Sequence, residues 1–162
     1  MTITHAIIKQ KFHENIEKLQ KRKLELQDVG EKLLKQYKAS LSTPSDLWED
    51  SNGHPKNYVS AGIINDKGYF KQASLSSIDI DENLLFNFII STVLDEVKGG
   101  IVESAEIPIS IYKEVGSYYL LVGGKKKSYR VVTVNAADAF DNVCNAIKEE
   151  VISCCTDPRL DL

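Results

Sequence analysis

The chain is poor in the residues that mark disulfide-rich or metal-binding proteins. It has three cysteines in 162 residues, an odd number crowded near one end, and two of them are adjacent. This is a poor disulfide framework, and the adjacent pair lacks the spacing of a zinc site. Cys144 and Cys154 match the apolar stripe of the predicted last helix. We therefore expect both to be small core residues of a reduced, cytoplasmic protein.

Long apolar runs are also missing. The longest run, LLFNFIISTVL from Leu84, is interrupted by Asn87, Ser91 and Thr92, whereas a membrane span needs about 18 apolar residues. The first twelve residues, MTITHAIIKQKF, lack the apolar core and the small-residue cleavage pattern of a signal peptide. We expect neither a membrane span nor a secretion signal.

No catalytic or cofactor-binding motif is present. The sequence contains no GxSxG, no GxGxxG and no catalytic Cys–His pattern, and His5, His13 and His54 are dispersed. The acids of residues 79–83 imitate the start of a calcium loop, but the loop's glycine is absent and Ile90 replaces its final glutamate. Helix capping explains these acids better. We expect no enzymatic activity, no cofactor and no metal.

The most informative feature present is an unbroken helix-forming stretch over residues 5–39, which contains no proline and one glycine. Four apolar residues recur in it at seven-residue intervals: Phe12, Leu19, Leu26 and Leu33. Lys23 and Gly30 occupy the alternate heptad positions and are poor there, so a long free coiled coil is not expected. The apolar stripe broadens after Leu26. We predict that the C-terminal half of the helix packs on the body, and that the N-terminal half offers a narrow seam to a partner: Phe12, Ile16, Leu19 and Leu26.

Charge is distributed unevenly along the chain. Residues 1–40 carry nine Lys and Arg against five Asp and Glu, a balance of +4, whereas the remainder carries eleven against 18, or −7. One reading is a solvated helix whose charges face water. The other is electrostatic complementarity, in which the basic arm of one copy, or of a partner, meets an acidic surface.

The middle of the chain reads as a connector, a hairpin and a helix. Residues 41–57 are rich in turn formers, with a helical turn expected at Trp48, and two strands flank the glycine turn at Gly68. Asp81 is a good N-cap and Gly99-Gly100 a stop signal, which together predict a buried helix over residues 82–98. The β-branched residues of that segment leave a strand as the alternative.

Three short strands follow, beginning with IPISIYKEV from Ile107. Since proline lacks the N–H that a central strand must donate, Pro108 predicts that this strand lies at a sheet edge. An exposed edge can accept a partner's strand by β-augmentation. The predicted contacts on this strand are Ile107, Ile109, Ile111 and Tyr112.

These elements give an α+β fold. A last helix, capped by Asn135 and ending near Cys155, completes a long N-terminal helix followed by a five-stranded antiparallel sheet in the order β-β-α-β-β-β-α, with helices packed on it. The predicted organisation is a long amphipathic arm over residues 1–40, a connector over 41–57, a sheet domain over 58–156 and a tail over 157–162.

A lysine-rich turn between the last two strands is a further candidate contact. It lies between two strands, whereas a phosphate-binding loop lies between a strand and a helix, so a solvated hairpin tip is the better reading. It could still meet an acidic surface or nucleic acid. The residues concerned are Lys125, Lys126, Lys127 and Arg130. The other basic cluster, near Lys18, lacks interleaved aromatics and the net charge is −3, so nucleic acid is the lesser option.

Residues 59–152 resemble the Roadblock/dynein-light-chain-like family, within the wider profilin-like and longin group. GIINDKGYFKQAS looks like the first hairpin of that family, and ISIYKEVGSYYLLVGGKKKSYRVVTV is similar to its three-strand meander. The resemblance implies a non-enzymatic domain that dimerises through sheet edges and helices, and that scaffolds or regulates partners such as motors and small GTPases. The long N-terminal helix departs from the family pattern.

The sequence therefore predicts a protein-interaction module, a dimeric scaffold or regulatory protein, which contacts partners through the long helix and an edge strand. Two alternatives remain open. A bacterial immunity protein or secretion-effector chaperone would be small and acidic in the same way. A nucleic-acid-associated protein would use the basic arm and the lysine-rich hairpin.

Overall fold

The computed structural model describes residues 2–96, 103–124 and 127–162, and it has the predicted α+β architecture. The elements, in chain order, are α1 (His5–Ser40), β1 (Leu47–Glu49), β2 (Pro55–Asn57), β3 (Val59–Ile64), β4 (Phe70–Gln72), β5 (Phe86–Asp95), β6 (Glu103–Glu114), β7 (Ser117–Val122), β8 (Ser128–Val131) and α2 (Asp141–Cys155).

The main sheet is antiparallel and has six strands in the order β4-β3-β5-β6-β7-β8, one more than predicted. Inward-facing residues of its strands form one apolar core with α1 and α2. The alternate residues of β5 and β6, such as Asn87 and Glu106, are exposed, so the helices cover one face of the sheet and leave the other open.

The segment predicted as a helix over residues 82–98 is instead strand β5, so that prediction was wrong. Phe86, Phe88 and Ile90 are buried while Asn87 between them is exposed, which is the two-residue period of a strand. β5 pairs with β3 on one side and β6 on the other. A buried position between two strands favours β-branched residues, and this context decides between the two readings.

Asp81 caps a turn rather than a helix. Its carboxylate accepts hydrogen bonds from the backbone N–H groups of Asn83 at 2.8 Å and Leu85 at 2.9 Å. The same carboxylate accepts a third bond from the side-chain amide of Asn87 at 2.9 Å. The bonds close a tight turn that leads into β5. The predicted stop signal, Gly99-Gly100, lies outside the described residues.

Strand β6 is central in the sheet, so the prediction that it forms an edge was wrong. It lies between β5 and β7. The carbonyl of Pro108 accepts a bond from the backbone N–H of Gly123 at 2.9 Å. Within a strand the C=O and N–H positions of one residue point to the same side, so the missing proton of Pro108 falls where β7 has just ended at Val122. Proline is therefore tolerated without an edge.

Helix α1 begins and ends close to the predicted bounds, and its C-terminal half packs on the sheet as expected. Its buried residues include Leu26, Val29, Leu33 and Tyr37. A Cβ built on Gly30 would lie 3.0 Å from the ring of Phe86. The glycine that weakens a coiled-coil heptad is the residue that lets this helix approach the sheet closely.

Helix α2 begins at Asp141, six residues after the predicted cap. The predicted cap, Asn135, accepts a bond from the ammonium group of Lys32 at 2.8 Å and so is tied to α1 instead. Gln36 of α1 accepts a bond from the backbone N–H of Phe140 at 3.2 Å and thereby marks the start of α2. This tertiary contact substitutes for a local cap.

Two predictions about buried side chains have different outcomes. Cys144 is buried in the core as predicted, but Cys154 is exposed at the end of α2, so its assignment to the core was wrong.

The expected helical turn at Trp48 is strand β1, which pairs with β2 in a separate hairpin. The Trp48 indole N–H donates to the carbonyl of Asn57 at 3.3 Å.

Candidate interaction surfaces

The first half of α1 leaves the body and carries an uncovered apolar stripe. No residue from His5 to Leu24 is buried; we name this segment the free half of α1. Four of its apolar side chains are strongly exposed: Ile8 (58%), Phe12 (61%), Ile16 (45%) and Leu19 (41%). At about 100° per residue they lie within about 80° of each other around the helix axis, on the face that Leu26 and Leu33 continue into the core.

Leu26 is not available to a partner. Its side chain is fully buried in the core cluster, so its assignment to the seam was wrong. Phe12, Ile16 and Leu19 are exposed as that assignment requires. The stripe therefore changes role near Lys23, from a surface that faces solvent to one that packs on the sheet.

Basic side chains flank the stripe. The free half of α1 contains six Lys and Arg against two Glu, a balance of +4. Lys9, Lys11 and Arg22 lie within about 90° of the centre of the stripe, whereas Glu14 and Glu17 lie about 150° away on the opposite face. A partner that covers the stripe would meet positive charge on both sides.

The inner end of the stripe opens into a groove of about 470 Å³ between α1 and the loop before β5. Ile16, Leu19 and Ile80 contribute apolar surface, and Asp79 and Glu82 contribute acid. The Lys23 ammonium group lies 3.7 Å from the carboxylate of Asp79. The stripe thus ends beside the acidic side chains of Asp79 and Glu82, which we name the acidic wall.

Hydrogen bonds tie the loop that carries these acids to α1 and to the start of β5. The side-chain amide of Gln27 donates to the carbonyls of Ser76 at 3.3 Å and Ile78 at 2.9 Å, which ties the loop to α1. The hydrogen bond from the backbone N–H of Leu85, with those from Asn87 and Asn83, holds the pKa of Asp81 below its ordinary value. Asp81 therefore remains anionic at neutral pH.

Three of the four β6 residues that were predicted to contact a partner face the core instead. Ile107, Ile109 and Ile111 are buried in the core, so their assignment to a partner surface was wrong. Tyr112 is half-buried on the open face of the sheet. Its ring stacks on that of Tyr119 with 5.1 Å between centroids. The true edges of the sheet are β4 and β8.

The lysine-rich hairpin borders the β8 edge. Lys125 and Lys126 lie outside the described residues. Lys127 is exposed, and its ammonium group lies 5.2 Å from the centre of the Tyr129 ring. Arg130, also exposed, donates from Nε to the hydroxyl of Ser117 at 3.1 Å. Of the four predicted electrostatic contacts, the structure places Lys127 and Arg130 at one edge of the sheet.

A second groove, which sequence reasoning missed, runs between β8 and α2 and has a volume of about 570 Å³. Most of its lining is polar or charged and includes Ser128, Asn142, Asn145 and Glu149, while the neighbouring Val131, Val143 and Ala146 are buried. The small side chains of α2 were the signal available in the sequence. Their meaning depended on knowing that β8 is the last strand.

The remaining sites tested are metal clusters and membrane spans. Across residues 2–96, 103–124 and 127–162, no group of three or more His, Cys, Asp or Glu side chains could hold a metal ion. In the same part of the chain, no helix combines the length and the apolar character needed to cross a membrane.

Comparisons with protein-family models, with curated proteins and with solved structures found no match to this chain. The resemblance to the Roadblock/dynein-light-chain-like family therefore stays a prediction. The helix expected in the middle of that pattern is strand β5 in this structure. The functional argument rests on the geometry of the surfaces described above.

Proposed function

We propose that this protein is a protein-interaction module whose free half of α1 binds a partner segment with an apolar face and acidic flanks. One observation carries the proposal. A single apolar stripe runs along α1, buried in the C-terminal half and uncovered in the N-terminal half. An apolar stripe on a helix is normally covered by another surface.

The uncovered stripe offers useful binding energy. Full burial of a Leu, Ile or Phe side chain is worth about 1.5–3 kcal/mol, and Ile8, Phe12, Ile16 and Leu19 are between 41% and 61% exposed. The free half of α1 is about 30 Å long at 1.5 Å per residue, enough for a partner helix of about three heptads. Recognition of a helix along such a stripe is a recurring mode of protein binding.

Charge favours an acidic partner over a second copy of the chain. In a parallel pairing, two copies would bring Lys9, Lys11 and Arg22 of one copy towards the same residues of the other. Like charges along a helix interface destabilise it. The homodimer predicted from the sequence is thus the less favoured occupant of this stripe, and the two occupants differ in salt dependence.

Two synthetic helical peptides of about three heptads test the proposal, both with Leu and Ile at positions a and d. One carries Glu at positions e and g, and the other carries Lys. We expect the Glu peptide to bind, with affinity that falls as salt rises from about 50 to 500 mM. Fluorescence anisotropy measures both peptides. Equal binding of the Lys peptide would overturn the proposal.

Phe12→Asp and Leu24→Asp form a matched pair of variants. Both add one acid at an exposed apolar position of the same helix, but Leu24 lies about 130° from the centre of the stripe. Phe12→Asp should weaken the binding of the Glu peptide by about tenfold or more. Leu24→Asp should leave its affinity unchanged. Equal effects of the two variants would contradict binding through the stripe.

Sedimentation equilibrium tests whether a second copy of the protein, rather than an acidic partner, covers the stripe. We expect the protein to remain monomeric at micromolar concentration. A dimer that Phe12→Asp dissociates and Leu24→Asp leaves intact would place a second copy on the stripe instead of an acidic partner. That dimer would strengthen at high salt, because salt screens the repulsion between basic flanks.

A further inference from the structure

A two-residue turn joins β6 to β7 and holds a valine in a conformation that valine rarely adopts. Glu114 pairs with Ser117, so the turn consists of Val115 and Gly116. Both have positive φ, 48° for Val115 and 76° for Gly116. Positive φ at both positions is the feature of a type I′ turn, for which Asn-Gly and Asp-Gly are the favoured sequences. A β-branched residue at positive φ is an outlier, because its Cβ crowds the backbone.

Contacts within the described part of the chain do not explain the valine. Val115 is 97% exposed, so its side chain gains almost no packing there. Among the described residues, Leu84 is the other apolar residue at positive φ. Leu84 is only 38% exposed, and the hydrogen bonds that the Asp81 carboxylate accepts close its turn. Leu84 thus has a local explanation. Val115 does not, and such an outlier is a reason to look for a function.

The turn lies where α1 leaves the sheet. Lys113, two residues before Val115, places its ammonium group 2.9 Å from the carboxylate of Glu25. Glu25 directly follows the free half of α1. Lys23, which contacts the acidic wall, lies about 160° from Glu25 around the helix. The turn and the acidic wall therefore flank α1 on two sides, at the inner end of its free half.

A partner on the stripe would lie directly beyond this end of the sheet. The stripe continues the face of α1 on which Leu26 and Leu33 pack against the sheet. A helix laid along the stripe therefore takes, outside the body, the place that the sheet takes beneath the rest of α1. One end of that helix points at the end of the sheet, where the turn of Val115 and Gly116 lies.

We propose that Val115 contacts the end of the partner helix that faces the body, and that it limits how far this helix advances along the stripe. The inference rests on the proposed function and adds to it a contact residue on a different element. The partner helix carries an apolar residue at that end. Burial of Val115 against this residue offsets the cost of the turn conformation in the complex.

Val115→Asn and Val115→Ile separate the conformation of the turn from its contact. Asparagine suits a type I′ turn but is polar, whereas isoleucine keeps both the β-branch and the apolar surface. We expect Val115→Asn to raise the thermal midpoint by about 2–4 °C. It should also weaken the binding of the Glu peptide, made with leucine at each end, by about three- to tenfold. Val115→Ile should leave both quantities nearly unchanged. Calorimetry and fluorescence anisotropy measure them.

A spin label on the Glu peptide locates the contact. A nitroxide is attached to one end of the peptide and, in a second sample, to the other end. We expect one label to broaden the amide signals of residues 114–117 of the full-length protein, and the other to broaden signals near His5. NMR spectra of the two complexes measure the broadening.

The outcomes separate this contact from the proposed function. Failure of the wild-type protein to bind the Glu peptide would overturn both. Binding that Phe12→Asp weakens and Val115→Asn does not would overturn this contact alone, and so would unbroadened signals at residues 114–117 with either label. A lower thermal midpoint in Val115→Asn would contradict the backbone strain from which the contact is inferred.

Discussion

The hydroxyl oxygens of Tyr37 and Thr92 lie 2.8 Å apart inside the core. Tyr37 is at the C-terminal end of α1 and Thr92 is in β5, 55 residues later, and both side chains are buried. A buried hydroxyl without a partner is costly, so each satisfies the other. The bond joins the long helix to an inner strand of the sheet.

Thr92→Val and Tyr37→Phe should each destabilise the protein by about 1–3 kcal/mol, because each leaves one buried hydroxyl unsatisfied. The double variant should cost less than the sum of the two, since it removes both polar groups together. Urea unfolding followed by circular dichroism gives the three free energies. Strict additivity would show that the bond does not couple the two residues.

The free energy of unfolding should decrease above about pH 9. Burial raises the pKa of the Cys144 thiol and of the Tyr37 hydroxyl above their usual values near 9 and 10. The unfolded chain therefore loses these protons at lower pH than the folded chain does. The stabilisation is complete below the unfolded pKa values and is lost as pH rises through the folded ones.

Urea unfolding at pH 8 and at pH 10.5 measures this decrease. Cys144→Ala removes the group with the lower usual pKa, so it should move the onset from about pH 9 towards about pH 10. An unchanged onset in Cys144→Ala would show that this thiol does not contribute. Comparison of the two proteins at each pH cancels any constant cost of the substitution.

Gly30→Ala should show whether the close approach of α1 to Phe86 is required. Alanine favours a helix over glycine by about 1 kcal/mol, but the added Cβ would lie 3.0 Å from the Phe86 ring and 3.3 Å from Leu75. We expect the crowding to offset the gain. In a Phe86→Leu background, Gly30→Ala should stabilise by about 1 kcal/mol, and the double-mutant cycle reports the difference.

Removing residues 2–17 should leave the thermal stability of the body nearly unchanged, within about 0.5 kcal/mol, because no residue of that segment is buried. Leu33→Ala, on the buried part of the same helix, should cost about 2–5 kcal/mol. Calorimetry compares the two variants. A large loss on truncation would mean that the free half of α1 supports the fold.

Local patterns in the sequence predicted most elements of the fold. Helix α1, the β3–β4 hairpin and the strands β6 to β8 each follow a period or a turn signal that acts within a few residues. β5 was assigned wrongly because its run of Phe, Ile and Val fits a buried helix or a buried strand equally well. Its pairing with β3 and β6 decides the matter, and those partners lie far away in sequence.

The surfaces were harder to predict, because exposure depends on neighbours that the sequence does not reveal. The heptad spacing identified Phe12, Ile16 and Leu19, but the same spacing included Leu26, which the sheet covers. Pro108 predicted that β6 is an edge strand, but the edge strands are β4 and β8, because strand order depends on pairing between strands that are distant in sequence. Of the predicted electrostatic contacts, Lys127 and Arg130 lie at the β8 edge.

Helix α1 passes from solvent to the core without a break, over 36 residues and with no internal proline. It therefore acts mechanically as one stiff lever. A pulling force on a partner bound near His5 would be transmitted along the helix to Leu33 and Tyr37, tens of ångströms away, where α1 is packed in the core. Tension between two tethered objects would then load the hydrophobic core directly, and the strength of that anchorage would set how much force the attachment withstands.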